Sequence, residues 1–418
     1  MTDSADNRMI DAGPARLARD MAWVGLGNVA SKLMMFVATV WIANRLLADA
    51  FGAVNVAFSV ASYISMVLFA GVDIMATRHA AAAPAGSRAP LTGEYAVLRA
   101  LLSCAGALVC AGAALFLPGQ AGTLTLLYAV SFVPQALCMV SLFYGVEWAW
   151  PVTAYFVGGR VVYLGLIVML VRGPQQAVWV PIAFGLALLA ENAFMALLWL
   201  HRHGCAVGGS KFDWGRWLPA VPVTVASAAL LLHENCATVA LGFIRGTADA
   251  GIYSAAWRLV YVAVSMALLL SFVFMARLVR VRAGSVEAAR RFFRRTLLGA
   301  VAGGILCAVI GMLLARPVVA FFYRDAYASS GPVLAVAMWL MAAVPARVFA
   351  LQTLNGCGAY RAAIVGSVAG AVVSLGATVA GAYARGPLGA AAGTVVGEVV
   401  LALILTAAAG RALAAPRA

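Results

Sequence analysis

Charged side chains are scarce in this chain of 418 residues, since Asp, Glu, Lys and Arg make up only 11% of it. Soluble domains contain about 25% charged residues and about 45–50% apolar ones. Here 64% of the residues are hydrophobic, and the mean hydropathy is +0.96. Such a chain cannot cover itself with a polar surface in water, so it is predicted to lie in a lipid bilayer. A soluble cytosolic enzyme, a nucleic-acid-binding protein and a secreted disulfide-bonded domain are excluded.

Motifs of catalysis and cofactor binding are also missing. The sequence has no Walker A, GxSxG or HExxH pattern, and its seven cysteines include no CxxC pair. Residues 201–205 contain two histidines and a cysteine, but a structural zinc site needs four ligands at suitable spacing. We therefore expect no catalytic residue, no cofactor and no metal site, and we predict that the protein is not an enzyme.

The N-terminal residues lack the apolar core of a cleaved signal peptide. Residues 1–21 carry several aspartates and arginines instead. A secretory signal would need an apolar stretch of about 7–15 residues there. The first apolar run is therefore expected to act as an uncleaved membrane anchor.

What the sequence does contain is a series of twelve long apolar runs. A spanning helix needs about 20 mostly apolar residues, and only helices or closed barrels satisfy their backbone hydrogen bonds in lipid. These runs lack the alternation of barrel strands. The sequence predicts an all-α polytopic membrane protein with about twelve transmembrane helices. The runs cover residues 22–43, 53–76, 95–117, 122–145, 152–171, 178–200, 218–244, 251–276, 296–322, 332–354, 361–383 and 388–410.

The basic residues of the loops predict the orientation of these helices. With the N-terminus in the cytoplasm, 18 of the 29 Lys and Arg residues fall on the cytoplasmic side, 6 on the other side and 5 within spans. Loops with an excess of Lys and Arg stay cytoplasmic. We expect a multi-pass protein of the inner (plasma) membrane with both termini, residues 1–21 and 411–418, in the cytoplasm.

A short internal repeat predicts that the chain consists of two six-helix lobes. Ala48-Asp49-Ala50-Phe51-Gly52 follows the first span, and Ala248-Asp249-Ala250-Gly251 follows the seventh. Both segments occupy the same topological place, so the lobes would be parallel repeats, which are typical of transporters. The predicted domains are an N-terminal lobe, a cytoplasmic linker and a C-terminal lobe, at residues 22–200, 201–217 and 218–410.

Small residues recur every four positions near the C-terminal end. They are Gly366, Gly370 and Ser374 in one run and Gly389, Gly393 and Gly397 in the next. This spacing places them on one helix face, where they allow close helix packing. We interpret both stripes as packing surfaces.

Several segments together resemble a known family. They are Asn44-Arg45-Leu46-Leu47 before Phe51-Gly52, Gly71-Val72-Asp73, Leu241-Gly242, residues 250–260, Asn355-Gly356-Cys357-Gly358, and residues 386–393 with Glu398. With these motifs the chain resembles polysaccharide biosynthesis proteins of the O-antigen flippase type. These belong to the multidrug/oligosaccharidyl-lipid/polysaccharide exporter superfamily.

The resemblance implies a fold and a function. The fold would be two lobes around a central cavity. The substrate would be an oligosaccharide on polyprenyl pyrophosphate, carried to the outer leaflet by alternating access for lipopolysaccharide or exopolysaccharide biosynthesis. One departure concerns the seventh helix, where relatives often carry an acidic residue about one turn before Leu241-Gly242. Ala237 is near that place here, and Glu234 lies roughly a turn earlier.

Charged residues inside the spans are the candidates for binding. A Lys, Arg or Asp at the centre of a membrane helix costs about 2.5–3.5 kcal/mol, so such residues need water, a partner or a ligand. Arg and Lys bind phosphate oxygens well. We predict that four cations bind the anionic lipid-linked sugar: Lys32, Arg160, Arg258 and Arg347. The alternative is that these cations form structural pairs with Glu191, Glu234 and Glu398.

Two of these glutamates are candidates for ion coupling. A carboxyl group in a membrane helix can take up and release a proton. Glu234 and Glu398 lie near the middle of their spans. Their alternative role is again to pair with an arginine.

Two rival functions remain open. One is a multidrug or metabolite exporter of the same superfamily. The other is a membrane enzyme such as a polysaccharide polymerase or ligase, although the external loops are too short for the large domain such enzymes usually carry. The expected partners are the lipid-linked oligosaccharide and membrane lipids, with cytoplasmic glycosyltransferases and a polysaccharide polymerase as further candidates. No nucleic acid is expected.

The orientation can be tested with reporter fusions. Fusions after residues 206 and 285 should show a cytoplasmic reporter, and fusions after residues 119 and 328 an external one, because 18 loop cations lie on the first side and 6 on the second. Paired alkaline phosphatase and fluorescent-protein reporters measure this. A consistent inversion at all four positions would contradict the predicted topology.

Overall fold

The computed structural model describes residues 14–206 and 212–414, and these residues form helices without any strand. Three short 3₁₀ turns, Ala85–Ser87, Pro174–Gln176 and Asp325–Tyr327, connect some of the helices. The α-helices are α1 (Pro14–Arg45), α2 (Ala48–Ala82), α3 (Arg88–Ala114), α4 (Gly119–Val130), α5 (Phe132–Gln135), α6 (Val140–Gly145), α7 (Ala149–Leu170), α8 (Trp179–His203), α9 (Trp214–Trp217), α10 (Ala220–Ile244), α11 (Thr247–Gly284), α12 (Val286–Phe322), α13 (Ser330–Ala337), α14 (Leu340–Gly356) and α15 (Tyr360–Ala414).

The helices confirm the predicted fold class. Eight helical segments of the described residues are long and apolar enough to cross a membrane. Each of the twelve predicted apolar runs coincides with helical structure to within a few residues. The chain is therefore an all-α, multi-pass membrane protein.

The fourth predicted span, residues 122–145, is not one continuous helix. It is divided into α4, α5 and α6. The Ser131 hydroxyl donates to the Tyr128 carbonyl at 2.6 Å, and Pro134 has no N–H to donate. Residues 136–138 then use i→i−3 bonds of the 3₁₀ type. The expected continuous helix was wrong because these local bonds replace the α-helical ladder.

The last two predicted spans form α15, which bends at Arg385 and Gly386. Gly386 has a φ of 57°, in the left-handed region that glycine adopts without steric cost. Pro387 follows and starts the second half of α15. The stripes of small residues bring the two halves together: a Cβ added to Gly393 or Gly397 would overlap backbone atoms of Ala377 or Ser374.

One compact unit contains α1 up to Arg45 and the chain from Val60 to Ala228. Its core holds Trp199, which is fully buried and packs edge-on against Phe143 with ring centres 5.1 Å apart. The Trp199 indole N–H donates to the hydroxyl of Thr92 at 2.8 Å. Burying an indole requires such a partner, so this bond fixes α8 against α3.

The second unit contains residues 46–59 and the chain from Ala229 onwards. Both repeat motifs lie in this unit and touch each other. A Cβ on Gly52 would overlap the Thr247 carbonyl, and one on Gly251 would overlap the Ala48 carbonyl. The Thr247 hydroxyl also donates to Asp49. The division into 22–200, 201–217 and 218–410 stays a prediction, and residues 207–211 of the expected linker lie outside the described part.

Candidate functional site

Arg258, on α11 of the second unit, has the most informative geometry of the predicted cations. It is half-buried, and its Nη2 donates to Oδ1 of Asn55 at 3.3 Å. Its guanidinium carbon lies 5.8 Å from the centre of the Phe58 ring. No carboxylate among the described residues forms an ion pair with it. Arg258 therefore keeps its charge uncompensated and most of its five N–H donors unused.

The surroundings of Arg258 are held in place by neighbouring turns. Asn55 is buried, and its amide nitrogen donates to the Phe51 carbonyl at 2.8 Å, which orients the amide oxygen towards the arginine. The Tyr323 hydroxyl donates to the Ala255 carbonyl at 3.1 Å. Helix α11 is thus bonded to α2 and to Tyr323, at the end of α12, within the turn that carries Arg258.

Arg347 and Glu398 form a buried ion pair. Nε of Arg347, on α14, donates to Oε2 of Glu398, on the second half of α15, at 2.8 Å. Their side chains are only 12% and 5% exposed. The pair neutralises both charges within the second unit, which favours the structural role over substrate binding for Arg347 and over ion coupling for Glu398.

Arg160 belongs to a buried polar cluster in the first unit. The cluster consists of Arg160 on α7 and Glu191 on α8, and the next residue of α8, Asn192, is buried as well. Glu191 is 4% exposed and Asn192 is 1% exposed. Arg160 lies near enough for its charge to act on the Glu191 carboxyl group. The sequence has glycine at position 159, where a Cβ would overlap the Glu191 carboxylate.

Five polar atoms of Arg160, Glu191 and Asn192 are unsatisfied. Nη1 of Arg160, both carboxylate oxygens of Glu191 and both amide atoms of Asn192 are buried without a hydrogen bond. The Tyr155 hydroxyl lies nearby, but it does not reach hydrogen-bond geometry with Glu191. Each such atom costs about 1–3 kcal/mol when it is left dry. Water or a proton bound at these atoms would lower that cost.

For the two remaining predicted residues, Lys32 and Glu234, the structure gives little information about side-chain contacts. Lys32 lies half-buried on α1 of the first unit. The side chain of Glu234 lies outside the described residues, as do those of its neighbours in α10. No group of three or more His, Cys, Asp or Glu in the described part of the chain is arranged to hold a metal ion.

The sequence reasoning missed a second charged group in the first unit. The carboxylate of Asp73 on α2 accepts hydrogen bonds from Arg99 and from the Tyr95 hydroxyl, the latter at 2.8 Å. Arg99 is 2% exposed, and it also donates to the Gln135 carbonyl at 3.0 Å. Tyr95 and Arg99 are one helical turn apart, and this spacing could have been recognised in the sequence. Their shared partner, Asp73, lies on another helix, and the sequence alone does not identify it.

The helices and buried charges define a class of protein, a multi-pass membrane protein with the fold of known transporters. It has a TM-score of 0.77 with an inward-facing multidrug resistance MATE family transporter of the MOP superfamily, at 15% identity over 92% of this chain and 94% of that one. It has the same score with the lipid II flippase MurJ in an inward closed conformation, at 9% identity over 92% and 87%. A mutant of the Vibrio cholerae MATE transporter VcmN gives 0.62, at 17% identity over 96% and 98%.

Sequence identifies the family within that class. Residues 17–279, more than half of the chain, match the polysaccharide biosynthesis protein family, and the chain belongs to it. No curated protein matches the chain.

The ion pair between Arg347 and Glu398 can be tested by removing one or both charges. Arg347→Met should lower the free energy of unfolding by about 3–5 kcal/mol, because it leaves the Glu398 carboxylate buried and uncompensated. The double variant Arg347→Met/Glu398→Met should recover most of that loss. Denaturation of the purified protein in detergent measures both effects.

Arg361→Met is the matched control, since Arg361 is exposed on α15 and should change stability little. Wild-type stability of Arg347→Met would contradict the structural pair and return Arg347 to the group of substrate-binding candidates.

Proposed function

We propose that the protein is a flippase that moves polyprenyl-pyrophosphate-linked oligosaccharide across the inner membrane by alternating access, for surface polysaccharide biosynthesis. Membership of the polysaccharide biosynthesis protein family carries this proposal. The similar fold of a lipid II flippase supports it, because that protein is named for a lipid that it moves across a membrane. The proposed partners are the lipid-linked oligosaccharide, cytoplasmic glycosyltransferases and a polysaccharide polymerase.

Arg258 is proposed as the main ligand of the pyrophosphate. A pyrophosphate must cross a region of low dielectric constant, where its charge needs a compensating cation. Arg258 meets this need because no described carboxylate neutralises it and its fork of donors suits phosphate oxygens. Arg160 and Lys32 remain proposed ligands, and Arg347 is the weakest of the four because Glu398 already binds it.

Energy coupling is proposed to involve a buried carboxyl group. The sequence suggested Glu234 and Glu398, but Glu398 is engaged with Arg347. Glu191 is the better-supported candidate, because both its oxygens are buried without a hydrogen bond. Taking up a proton would remove the cost of its buried charge.

One observation favours a second candidate function, export of drugs or metabolites. The TM-score of 0.77 with a multidrug resistance transporter equals that with the flippase. Cationic drugs are attracted by acidic or neutral sites, whereas Arg258 presents an uncompensated positive charge. The anionic substrate is therefore the better match.

The function and the role of Arg258 can be tested together by complementing a gene deletion. The deletion should abolish a surface polysaccharide and leave lipid-linked units in the inner leaflet. Arg258→Ala should fail to restore the polysaccharide, and Arg258→Lys should restore part of it, since a point charge keeps the attraction but loses the bidentate fit. Arg385→Ala, at an exposed arginine of the same unit, should complement fully.

The outcomes separate the alternatives. Normal polysaccharide in the deletion strain, with increased drug sensitivity, would identify an exporter. Full complementation by Arg258→Ala, at equal protein level, would leave the flippase function in place but exclude Arg258 as the phosphate ligand.

The coupling role of Glu191 predicts a change in pH dependence. In proteoliposomes with a pH gradient, Glu191→Gln should lose the gradient-stimulated part of transport, because glutamine mimics the protonated acid permanently. Glu147→Gln, in the exposed connection before α7, should keep it. Flipping of a fluorescent lipid-linked oligosaccharide with and without the gradient gives the result. An unchanged response in Glu191→Gln would exclude this residue as the coupling group.

A further inference from the structure

The first turns of α12, on the predicted cytoplasmic side, carry an arginine face made of Arg290, Arg291, Arg294 and Arg295. All four side chains are exposed, and the function proposed above makes no use of them. Glu287 is the only acidic residue of α12, and no ion pair joins it or the arginine face to any residue in the described part of the chain. Like charges one helical turn apart repel each other, so the protein leaves this repulsion uncompensated.

Packing on the opposite side of α12 holds the arginine face in a fixed orientation. Ala289 and Phe293 lie on that opposite side, are 0% and 6% exposed, and belong to a core cluster with residues of α11 and α14. Phe292 stacks on Phe274 of α11, with ring centres 5.5 Å apart. The guanidinium of Arg277, also on α11, lies 5.6 Å from the centre of the Phe292 ring. The four arginines are therefore presented together, on the side of the helix that faces away from the protein.

The length of the uncharged part of α12 places the arginine face at the membrane boundary. Residues 296–315 carry no charge. At about 1.5 Å per residue this stretch is about 30 Å long, which is the thickness of the hydrocarbon core. Arg294 and Arg295 therefore lie at the boundary of the hydrocarbon. Arg290 and Arg291 lie about 6 Å further out, at the level of the lipid headgroups.

The same side of α12 is open to lipid along the hydrocarbon. Only 11% of the most apolar part of the helix is buried inside the protein. Leu298, Ile305 and Met312 follow Arg291 at intervals of seven residues, about two helical turns each, so they continue the arginine face along the helix. They are 59%, 41% and 39% exposed. A lipid whose chains lie on this apolar track has its headgroup at the arginines.

We propose that the arginine face binds anionic phospholipid of the adjacent, predicted cytoplasmic leaflet. The arginines hold the phosphate through charge-assisted hydrogen bonds, and the acyl chains lie along Leu298, Ile305 and Met312. Clusters of four or more basic residues beside a spanning helix attract anionic lipids. An acidic protein would leave the apolar track uncovered, and a zwitterionic lipid would bring its own positive charge to the arginines. The argument does not rest on the proposed transport function.

Native mass spectrometry of the full-length protein, with one defined lipid added at a time, tests this surface. The probes are dioleoyl phosphatidylglycerol, dioleoyl phosphatidylcholine and undecaprenyl diphosphate. Arg294→Gln/Arg295→Gln should weaken binding of phosphatidylglycerol about thirtyfold, at about fivefold for each arginine, and should change binding of phosphatidylcholine little. The control Arg361→Gln/Arg385→Gln removes two exposed arginines elsewhere in the second unit and should bind phosphatidylglycerol like the wild type.

A lysine variant separates charge from structure. Arg294→Lys/Arg295→Lys should keep most of the binding, because attraction of anionic lipid depends on positive charge. Size-exclusion profiles check folding, and a reporter fused after residue 285 checks that each variant keeps the wild-type orientation. If the glutamine pair fails either check, Arg290→Gln/Arg291→Gln, one turn further from the hydrocarbon, replaces it with the same expected loss.

Four results would overturn the proposal. Equal binding of phosphatidylglycerol by the wild type and the glutamine pair would show that the arginine face holds no lipid. An equal loss of phosphatidylcholine would show that anionic lipids are not preferred. A loss in the lysine pair as large as in the glutamine pair would show that charge is not what binds. Tighter binding of undecaprenyl diphosphate than of phosphatidylglycerol, lost in the glutamine pair, would assign the surface to the carrier lipid instead.

Discussion

Compensation of buried charge is the constraint on which the rest of this membrane protein depends. A charge in the middle of a lipid-embedded helix costs several kcal/mol unless it finds a partner or water. Two of the buried arginines offset that cost with an ion pair. Arg99 pairs with Asp73, and Arg347 pairs with Glu398, in each case on another helix. These pairs also fix which helices are neighbours, because an unpaired partner would remain buried with its full desolvation cost.

Close backbone contact at small residues is a further feature of the second unit. Gly393 and Gly397 allow the two halves of α15 to approach closely, since any side chain there would overlap Ala377 or Ser374. Glu398 follows directly in the same helix and binds Arg347 on α14. The second half of α15 is thus held by packing against its own first half and by an ion pair to α14.

Much of the fold could be predicted from the sequence, because length and hydrophobicity decide which segments enter a membrane. The break between the last two spans was also readable from Arg385, Gly386 and Pro387. The interruption of the fourth span was harder to predict, because Pro134 alone does not show that the Ser131 hydroxyl bonds back to its own turn or that residues 136–138 form 3₁₀ bonds. The apolar composition of a segment indicates that it lies in the membrane, but it does not show which backbone hydrogen bonds the segment forms.

The site was less predictable because pairing joins residues distant in the chain. Intramembrane charge singled out Arg160, Arg258 and Arg347 as binding candidates, but only the structure separates Arg347, paired with Glu398, from the others. The unsatisfied atoms of Glu191 and Asn192 are likewise a property of packing. The sequence shows that these charges exist, but their partners can be identified only when the arrangement of the helices is known.

The repeat explains why Arg258 stands apart from the paired charges. Aligning Gly52 with Gly251 places Ser59 at the position equivalent to Arg258. The two motifs pack against each other through these glycines, so each helix faces its counterpart. A pair of identical arginines there would repel one another, whereas the second repeat alone carries the charge and the first supplies the Asn55 amide oxygen. A neutral acceptor orients the guanidinium without cancelling its charge. That combination suits reversible binding of an anion better than an ion pair would, because a carboxylate in place of Asn55 would have to be displaced each time.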